Sequence, residues 1–396
     1  MKIAHIITRL ILGGAQENTV LSCEGLADLG HEVLLISGPT TGPEGSLLDR
    51  VRRGNYTFVE TPALVRAVHP TRDYRAIGAL ASVLREWQPD VVHTHSSKAG
   101  ILGRMAARRA RVPHIVHTIH GMSFNRTQSA WRRQLYAMLE RRCSRYTDAL
   151  VCVADAMREQ SLAAGIGKPD RFVTVRSGME TDAFDPARYD RAVVRQAWGF
   201  RDDHVVVATV ARLFRNKGYE QLIPIMQRAV KAAPQLRFVW IGDGADRAAY
   251  EKQLDACGLR QHVCFTGLVA PTEIPRLLAG ADMLAHASQW EGLPRAVVQA
   301  LLMQRAVVSF DIDGAPEVVI PGATGELAPL NDLDAFAAAL VKLANDAALR
   351  SRYGATGRSR YLLEFDHAVM AQRLAQVYEA VANKQPVAQL DFTATR

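Results

Sequence analysis

Cysteine is scarce in this 396-residue chain. The five cysteines, Cys23, Cys143, Cys152, Cys257 and Cys264, are scattered and none belongs to a C-x-x-C pair. A disulfide scaffold and a thiolate zinc site are therefore not expected. Long apolar runs are missing too. No stretch reaches 18 apolar residues, and the opening run Ile3-Ala4-His5-Ile6-Ile7 is broken by Thr8 and Arg9. Neither a membrane span nor a signal peptide is expected, and residence in the cytoplasm follows as the expectation. With 28 glycines and 17 prolines the chain is too poor in both to be collagen-like or of low complexity. No self-similarity at a period of about 20 to 50 residues points to a solenoid. Acidic residues are nearly absent from one region. Residues 101–145 hold ten arginines (Arg104, Arg108, Arg109, Arg111, Arg126, Arg132, Arg133, Arg141, Arg142, Arg145) against the single acid Glu140, and this region accounts for the whole formal net charge of +8. Such a concentration attracts polyanions: lipid headgroups, nucleic acid or an anionic substrate.

What is present is an ordinary globular composition, 48% apolar and 22% charged, in a chain long enough for two cores. After Lys2 the pattern is strand, turn, helix, repeated. Stretches at 3–8, 33–37, 91–95, 115–118, 149–154 and 172–176 read as strands, mostly joined by helices such as 17–29. Past Asp185-Pro186 and a polar helical stretch, a second cycle begins, with strands expected at 205–211, 236–241, 263–266, 283–287 and 306–310 and helices at 221–232 and 294–303. Strands apolar throughout, alternating with helices, imply parallel sheets covered on both faces. The expected fold class is α/β, with two doubly wound Rossmann-like domains, 1–185 and 186–366, facing each other across a cleft. A last helix and frayed tail, 367–396, is expected to cross back to the first domain. Ligands of such sheets bind at the carboxyl ends of the strands.

The candidate chemistry lies at those ends. Gly13-Gly14 follows the first strand, where two glycines either let backbone approach a ligand or simply make a tight turn. Arg212 and Lys217 follow the strand 205–211 and read either as a clamp for a diphosphate or as two solvated cations. In Glu291-Gly292-Leu293-Pro294 the proline suits the first position of a helix, offering the amides of Arg295, Ala296 and Val297 to an anion. Glu291 beside them would grip hydroxyls, or else cap the helix. Gln299 could meet a diol, or face water. Glu317 is a second acid with the same ambiguity. His117 and His120 end a strand and could contact substrate or serve the fold. No acid accompanies His93, His95, His117 and His120 in a metal-ligand pattern, so no metal is expected.

Taken together, Gly13-Gly14, His120-Gly121, Ala211-Arg212-Leu213 with Lys217-Gly218, Gly242-Asp243-Gly244, Glu291-Gly292-Leu293-Pro294 and Pro316-Glu317-Val318 resemble the family-4 retaining glycosyltransferases of the GT-B fold, over essentially the whole chain. The resemblance implies that Arg212 and Lys217, with the amides after Pro294, hold a donor nucleotide's diphosphate, and that Glu291 grips the donor sugar. It implies that Gly13 and Gly14 approach phosphate and acceptor and that His120 stands near the donor sugar. Glu291, His120, Arg212 and Lys217 are thereby the catalytic candidates. Where the family carries a second glutamate at the nucleotide ribose, this chain has Gln299, a departure that leaves a hydrogen-bonding amide. The implied donor is a nucleotide-diphosphate sugar, a UDP-sugar ahead of a GDP-sugar, with no further cofactor and no metal.

The acceptor is expected to be a glycan or lipid-linked molecule in cell-surface polysaccharide or lipopolysaccharide synthesis. Trp131, Leu135, Met138 and Leu139 recur at helical spacing among arginines, a pattern suited either to an anionic membrane surface or to a core-facing stripe. Peripheral attachment at the inner face of the membrane through 101–145 is the expectation. No nucleic-acid module accompanies the charge, so no nucleic-acid partner is expected. Two rivals stand beside the transferase: a nucleotide-sugar epimerase or hydrolase of the same architecture, and a non-catalytic binding or scaffold protein.

Overall fold

The computed structural model describes residues 1–42 and 44–392. It divides into two compact units. One comprises residues 1–179 with the chain from Phe365 onward, and the other residues 180–364.

The first unit is built on a seven-stranded sheet: β1 (Lys2–Ile7), β2 (Glu32–Ser37), β3 (Thr57–Glu60), β4 (Val91–His95), β5 (His114–Ile119), β6 (Ala149–Cys152) and β7 (Phe172–Thr174). Every pairing is parallel, in the order β3-β2-β1-β4-β5-β6-β7. Residue alternation divides its side chains between two cores. Ile3, Ile7, Val91 and Val116 face the helices Gly14–Asp28 and His367–Ala382, while Ala4, Ile6, Val92 and Ile115 face Pro70–Trp87 and Ser97–Ala110. The final helix buries Met370, Leu374, Val377 and Tyr378 in the first of these cores. The tail does not fray at Lys384 as expected. Val387 is 2% exposed, and Leu390 and Phe392 pack on the same core. Residues 393–396, the end of the expected tail, lie outside the described residues.

The second unit carries β8 (Val205–Val210), β9 (Leu236–Ile241), β10 (Val263–Gly267), β11 (Met283–His286), β12 (Ala306–Asp311) and β13 (Gly325–Pro329), all parallel, in the order β10-β9-β8-β11-β12-β13. Its core packs Trp240 at a tilt against Tyr219 and edge-on against Phe265, and buries the apolar face of the helix Tyr219–Ala232. Each fully buried aromatic or leucine side chain of this kind contributes about 1.5–3 kcal/mol. At the opposite edge of β11, Asp282 ties the helix Arg191–Ala197 to the sheet. It accepts from Arg191, from the buried Arg195 and from the amide of Val206.

The strand order reverses once in each sheet, between β1 and β4 and between β8 and β11. Diverging connections there open a crevice at the carboxyl ends, the place where such sheets take ligands. Two strands, β3 and β13, have no counterpart among the sequence expectations. Both are edge strands with partly exposed faces, so neither carries the continuous apolar run that marks a strand covered on both sides.

Candidate functional site

In the second unit the chain leaves β8 at Ala211 and enters a short loop containing Arg212 and Lys217; it leaves β11 at His286 and enters the loop containing Glu291. Backbone geometry forces these loops together. Gly218 has φ +84°, and a Cβ there would fall 1.8 Å from the Ala287 carbonyl oxygen, so only glycine fits. Asn216, at φ 74°, presents its carbonyl to the amide of Gln289 at 3.0 Å. Lys217 Nζ thereby reaches Glu291 Oε1 at 2.7 Å. These two residues stand 74 positions apart in the chain.

Glu291 is held from three further sides. Ser288 Oγ donates to Oε1 at 2.8 Å, His286 Nε2 lies 3.6 Å from the same oxygen, and the Glu291 backbone amide donates to Asp313 Oδ2 at 2.7 Å. Burial by itself would push its carboxyl up, but the Lys217 ammonium and then the His286 ring outweigh it and hold the group far below the usual carboxylate range. Glu291 is thus an ionised, oriented acceptor with a cation at its shoulder. His286 is in turn met by Ser309 Oγ on β12, at 3.4 Å.

Arg212 lies at the carboxyl end of the same strand, with its guanidinium 5.1 Å from the Phe214 ring centre. Arg215 is exposed. Pro294 proves to be the residue before the helix Arg295–Leu302 rather than its first residue. The Val297 amide, expected to face an anion, instead donates to the Pro294 carbonyl at 3.0 Å, because it closes the first turn. Gly292, Leu293 and Pro294 are buried. Arg295, Ala296 and Gln299 are half-buried, on the face opposite to Val297, Val298 and Leu301. Arg295 and Gln299, one turn apart, share that face. Glu317 is half-buried at the end of a short 3₁₀ turn, Ala315–Glu317.

His286 and Ser288 escape the sequence reading, and so does the contact of Asp313 with Glu291, although the turn Asp311–Glu317 is expected at the rim of the same site. Asp313 adopts a left-handed φ of 44°, which turns its carboxylate back to Glu291. The triplet Asp311-Ile312-Asp313 offered the one visible signal, since Asp and Asn tolerate that conformation before a glycine.

The two halves of the chain match two family models in succession. Residues 13–178 match the glycosyl transferase 4-like domain, and residues 190–360 match glycosyl transferases group 1. The chain is a glycosyltransferase of the GT-B fold. Among curated relatives, the UDP-Gal:α-D-GlcNAc-diphosphoundecaprenol α-1,3-galactosyltransferase of Escherichia coli is 29% identical over 353 residues, covering 88% of this chain and 89% of that protein. A GDP-mannose-dependent α-mannosyltransferase of Mycobacterium tuberculosis is 27% identical over 393 residues, covering 94% of each. Among solved structures, Anabaena HepE in complex with UDP-glucose superposes with a TM-score of 0.81 at 21% identity, covering 97% of this chain and all of that one.

The remaining candidates of this glycosyltransferase lie in its first unit, at the carboxyl edge of the sheet. Gly13 precedes the helix Gly14–Asp28 in an extended conformation, and its amide neighbours begin that helix. His120 follows β5 and shares a hydrogen bond of 3.0 Å with His95 at the end of β4. His117 points to the opposite face, where its Nδ1 meets Thr94 at 2.9 Å and its ring lies against Gly100. It is a fold residue.

Arg104 of the arginine-rich region is not on the surface. It is fully buried and ion-paired with Glu140, because its helix packs against the helix Ala130–Ser144. The two charges cancel, so the nine other arginines, all exposed, carry the region's excess. The helix Ala130–Ser144 is inverted relative to a core-facing stripe. Ala137, Glu140 and Cys143 face inward, Leu139 is half-buried, and Trp131, Leu135 and Met138 are 62%, 40% and 54% exposed. Among the described residues no helix is long and apolar enough to cross a membrane.

Proposed function

We propose that this chain moves a sugar, with retention of anomeric configuration, from a nucleotide-diphosphate sugar to a hydroxyl of a glycan or lipid-linked acceptor in cell-surface polysaccharide or lipopolysaccharide synthesis. The second unit takes the donor and the first the acceptor. The observation that carries this reading is the Lys217–Glu291 pair at the strand-order reversal, with Arg212 on the adjoining loop. A cation beside a fixed carboxylate suits a ligand that is anionic at one end and hydroxylated at the other. The diphosphate draws on Lys217, Arg212 and the amides at the start of Arg295–Leu302, and Glu291 accepts from the sugar hydroxyls.

In the transfer, the bond from the anomeric carbon to the diphosphate oxygen breaks while the acceptor oxygen bonds to that carbon on the same face. The acceptor's proton passes to the departing phosphate oxygen, so no separate base is required. Lys217, Arg212 and the helix amides stabilise the charge that develops on the leaving group. Gln299 takes a ribose hydroxyl of the donor in this reading. A UDP-sugar is preferred to a GDP-sugar, in keeping with the UDP-Gal-dependent relative and the UDP-glucose complex of HepE. Incubation with a panel of nucleotide sugars and isoprenyl-diphosphate glycans, followed by NMR of the product's anomeric coupling, tests the reading. An inverted linkage would refute retention, and donor turnover undiminished without acceptor would favour a hydrolase.

Attachment to an anionic membrane surface through Ala130–Ser144 belongs to the same proposal. Outward Trp131, Leu135 and Met138 flanked by exposed arginines suit an interfacial helix. Sedimentation with anionic vesicles at low salt, lost in a W131A/M138A variant, is the expected outcome; equal sedimentation of both proteins would exclude it.

A further inference from the structure

Period-2 alternation and strand register together place an unusual group on one face of the first sheet. His5 on β1 is directly opposite His93 on β4, and His95 is opposite Thr118 on β5. His93 and His95 project to one face, as do Thr118 and His120, so four imidazoles from three strands converge beneath the helix that carries Tyr378. The rings of His93 and His95 lie 4.3 Å apart, those of His5 and His95 5.2 Å, and those of His95 and His120 5.3 Å. His5, His93 and His95 are fully buried, and burial pushes all three rings down, His5 to about 3. They are neutral at any physiological pH.

The hydrogen bonds have a direction that can be worked out. His5 Nδ1 meets His95 Nε2 at 2.9 Å, and His95 Nδ1 meets His120 Nε2 at 3.0 Å. A neutral imidazole carries one N–H and one lone pair. His5 and His95 are neutral, and for a His120 that is neutral as well the protons must sit either on every Nδ1 or on every Nε2. The second arrangement would leave a proton on His5 Nε2, which is buried and has no partner. The first leaves only a lone pair there. An orphaned buried N–H is the rarer and costlier defect, so the chain runs outward: His5 donates to His95, and His95 donates to His120.

We propose that His5 and His95 form an imidazole relay that holds neutral His120 as its Nδ1-protonated tautomer, making His95 a positioning residue for the transfer reaction and His120 a hydrogen-bond donor rather than a base. The role in transfer rests on the reading, implied by the family resemblance, that His120 stands near the donor sugar; the tautomer does not. Taking up a proton at His120 would put a hydrogen on both ring nitrogens, reverse the relay and strand an N–H on His5. The relay therefore opposes general-base action and favours donation from Nδ1 to a ligand oxygen.

Zinc on His5, His93 and His95 is the competing use of the same rings, whose candidate ligand atoms all lie within 4.8 Å of one another. Both nitrogens of His93 are already engaged, Nδ1 with Tyr378 Oη and Nε2 with Thr118 Oγ1, each at 2.6 Å. His95 is likewise bonded at both ends. The hydrogen-bonded network accounts for the convergence without an ion.

The test is long-range ¹H–¹⁵N correlation on the full chain with ¹⁵N-labelled histidine, at about pH 8 where an ordinary imidazole is neutral, with H120N providing the assignment. His120 is expected to show a protonated Nδ1 and an unprotonated Nε2, the reverse of the tautomer preferred by free histidine. An Nε2-protonated His120 overturns the proposal whatever the enzyme's substrate proves to be. For the role in transfer, His95→Phe keeps the ring and removes both nitrogens, whereas His95→Asn restores an N–H where Nδ1 stands. H95F is expected to lower kcat about tenfold, the worth of one neutral hydrogen bond, with H95N recovering most of it. Equal kcat for H95F and H95N in folded protein would overturn the positioning role. Stoichiometric zinc binding that shifts the His5, His93 and His95 signals would overturn the relay in favour of a metal site.

Discussion

Replacing Lys217 with alanine separates the two halves of the proposed donor site. In the free protein Lys217 Nζ is bonded to Glu291 Oε1 at 2.7 Å, with the two side chains 29% and 19% exposed. A bound diphosphate therefore shares a cation already engaged, and gains less from it than from an unpaired one. A charge-assisted hydrogen bond is worth about 1.5–3 kcal/mol, and the sharing points to the lower half of that range. The expected rise in Kd for UDP is about tenfold to thirtyfold. In transfer the leaving group's charge grows, so kcat/KM should fall further, by about a hundredfold or more. Glu291→Gln has the opposite signature. It releases Lys217 to the diphosphate, so UDP binds as well as before or more tightly, while the loss appears with the complete sugar nucleotide. Calorimetric titration of UDP into the two variants distinguishes these outcomes. Wild-type affinity for UDP in K217A would refute the clamp.

The same substitution has a consequence for stability that requires no substrate. A carboxyl depressed in the folded state contributes stability that is present above its unfolded value and is lost as pH falls toward the folded one. With Lys217 removed, the depression of Glu291 shrinks. Denaturant midpoints should then rise less steeply between about pH 3 and pH 5 in K217A than in the parent protein. Parallel pH profiles would show that the pair contributes nothing to the folded state.

Gly218→Ala should destabilise the second unit by several kcal/mol, about 2–4, since the methyl meets the Ala287 carbonyl at 1.8 Å on a backbone of positive φ; thermal unfolding reads it directly. Gln299→Glu, which restores an ionised acceptor for a diol, should tighten UDP about threefold to tenfold while leaving 2′-deoxy-UDP less affected, as measured by competition binding. Arg104→Met leaves Glu140 buried without its cation and should cost about 3–5 kcal/mol in urea unfolding, whereas the double variant R104M/E140L should recover most of the loss.

Legibility in the sequence follows burial on both faces. Val91–His95 and Leu236–Ile241 are interior strands whose side chains, Arg237 aside, are buried, and their observed limits are the expected ones. Thr57–Glu60 and Gly325–Pro329 are edge strands whose side chains are partly exposed, and neither carries a continuous buried apolar run. Helix polarity was harder still. Trp131, Leu135 and Met138 form the stripe that would ordinarily mark the inner face of Ala130–Ser144, yet they face outward, because the space beneath is filled by Ala137 and the Arg104–Glu140 pair. A stripe records that one side of a helix is apolar; its neighbours decide whether that side faces protein.

The candidate site divides along similar lines. Arg212, Lys217 and Glu291 can each be placed after a strand from local pattern, but contact between Lys217 and Glu291 depends on β8 and β11 being neighbours, and no local pattern states which strands adjoin. Gly218 is the residue through which that contact becomes sterically legible, since its missing Cβ is the space the Ala287 carbonyl occupies. His286 and Ser288 are invisible for a related reason: each acts by touching Glu291, not by belonging to a recognisable run. The histidines follow the same rule. Alternation alone puts His93 and His95 on one face, but only the parallel register of β1 against β4 brings His5 opposite His93, and with it the unpartnered Nε2 that gives the relay its direction.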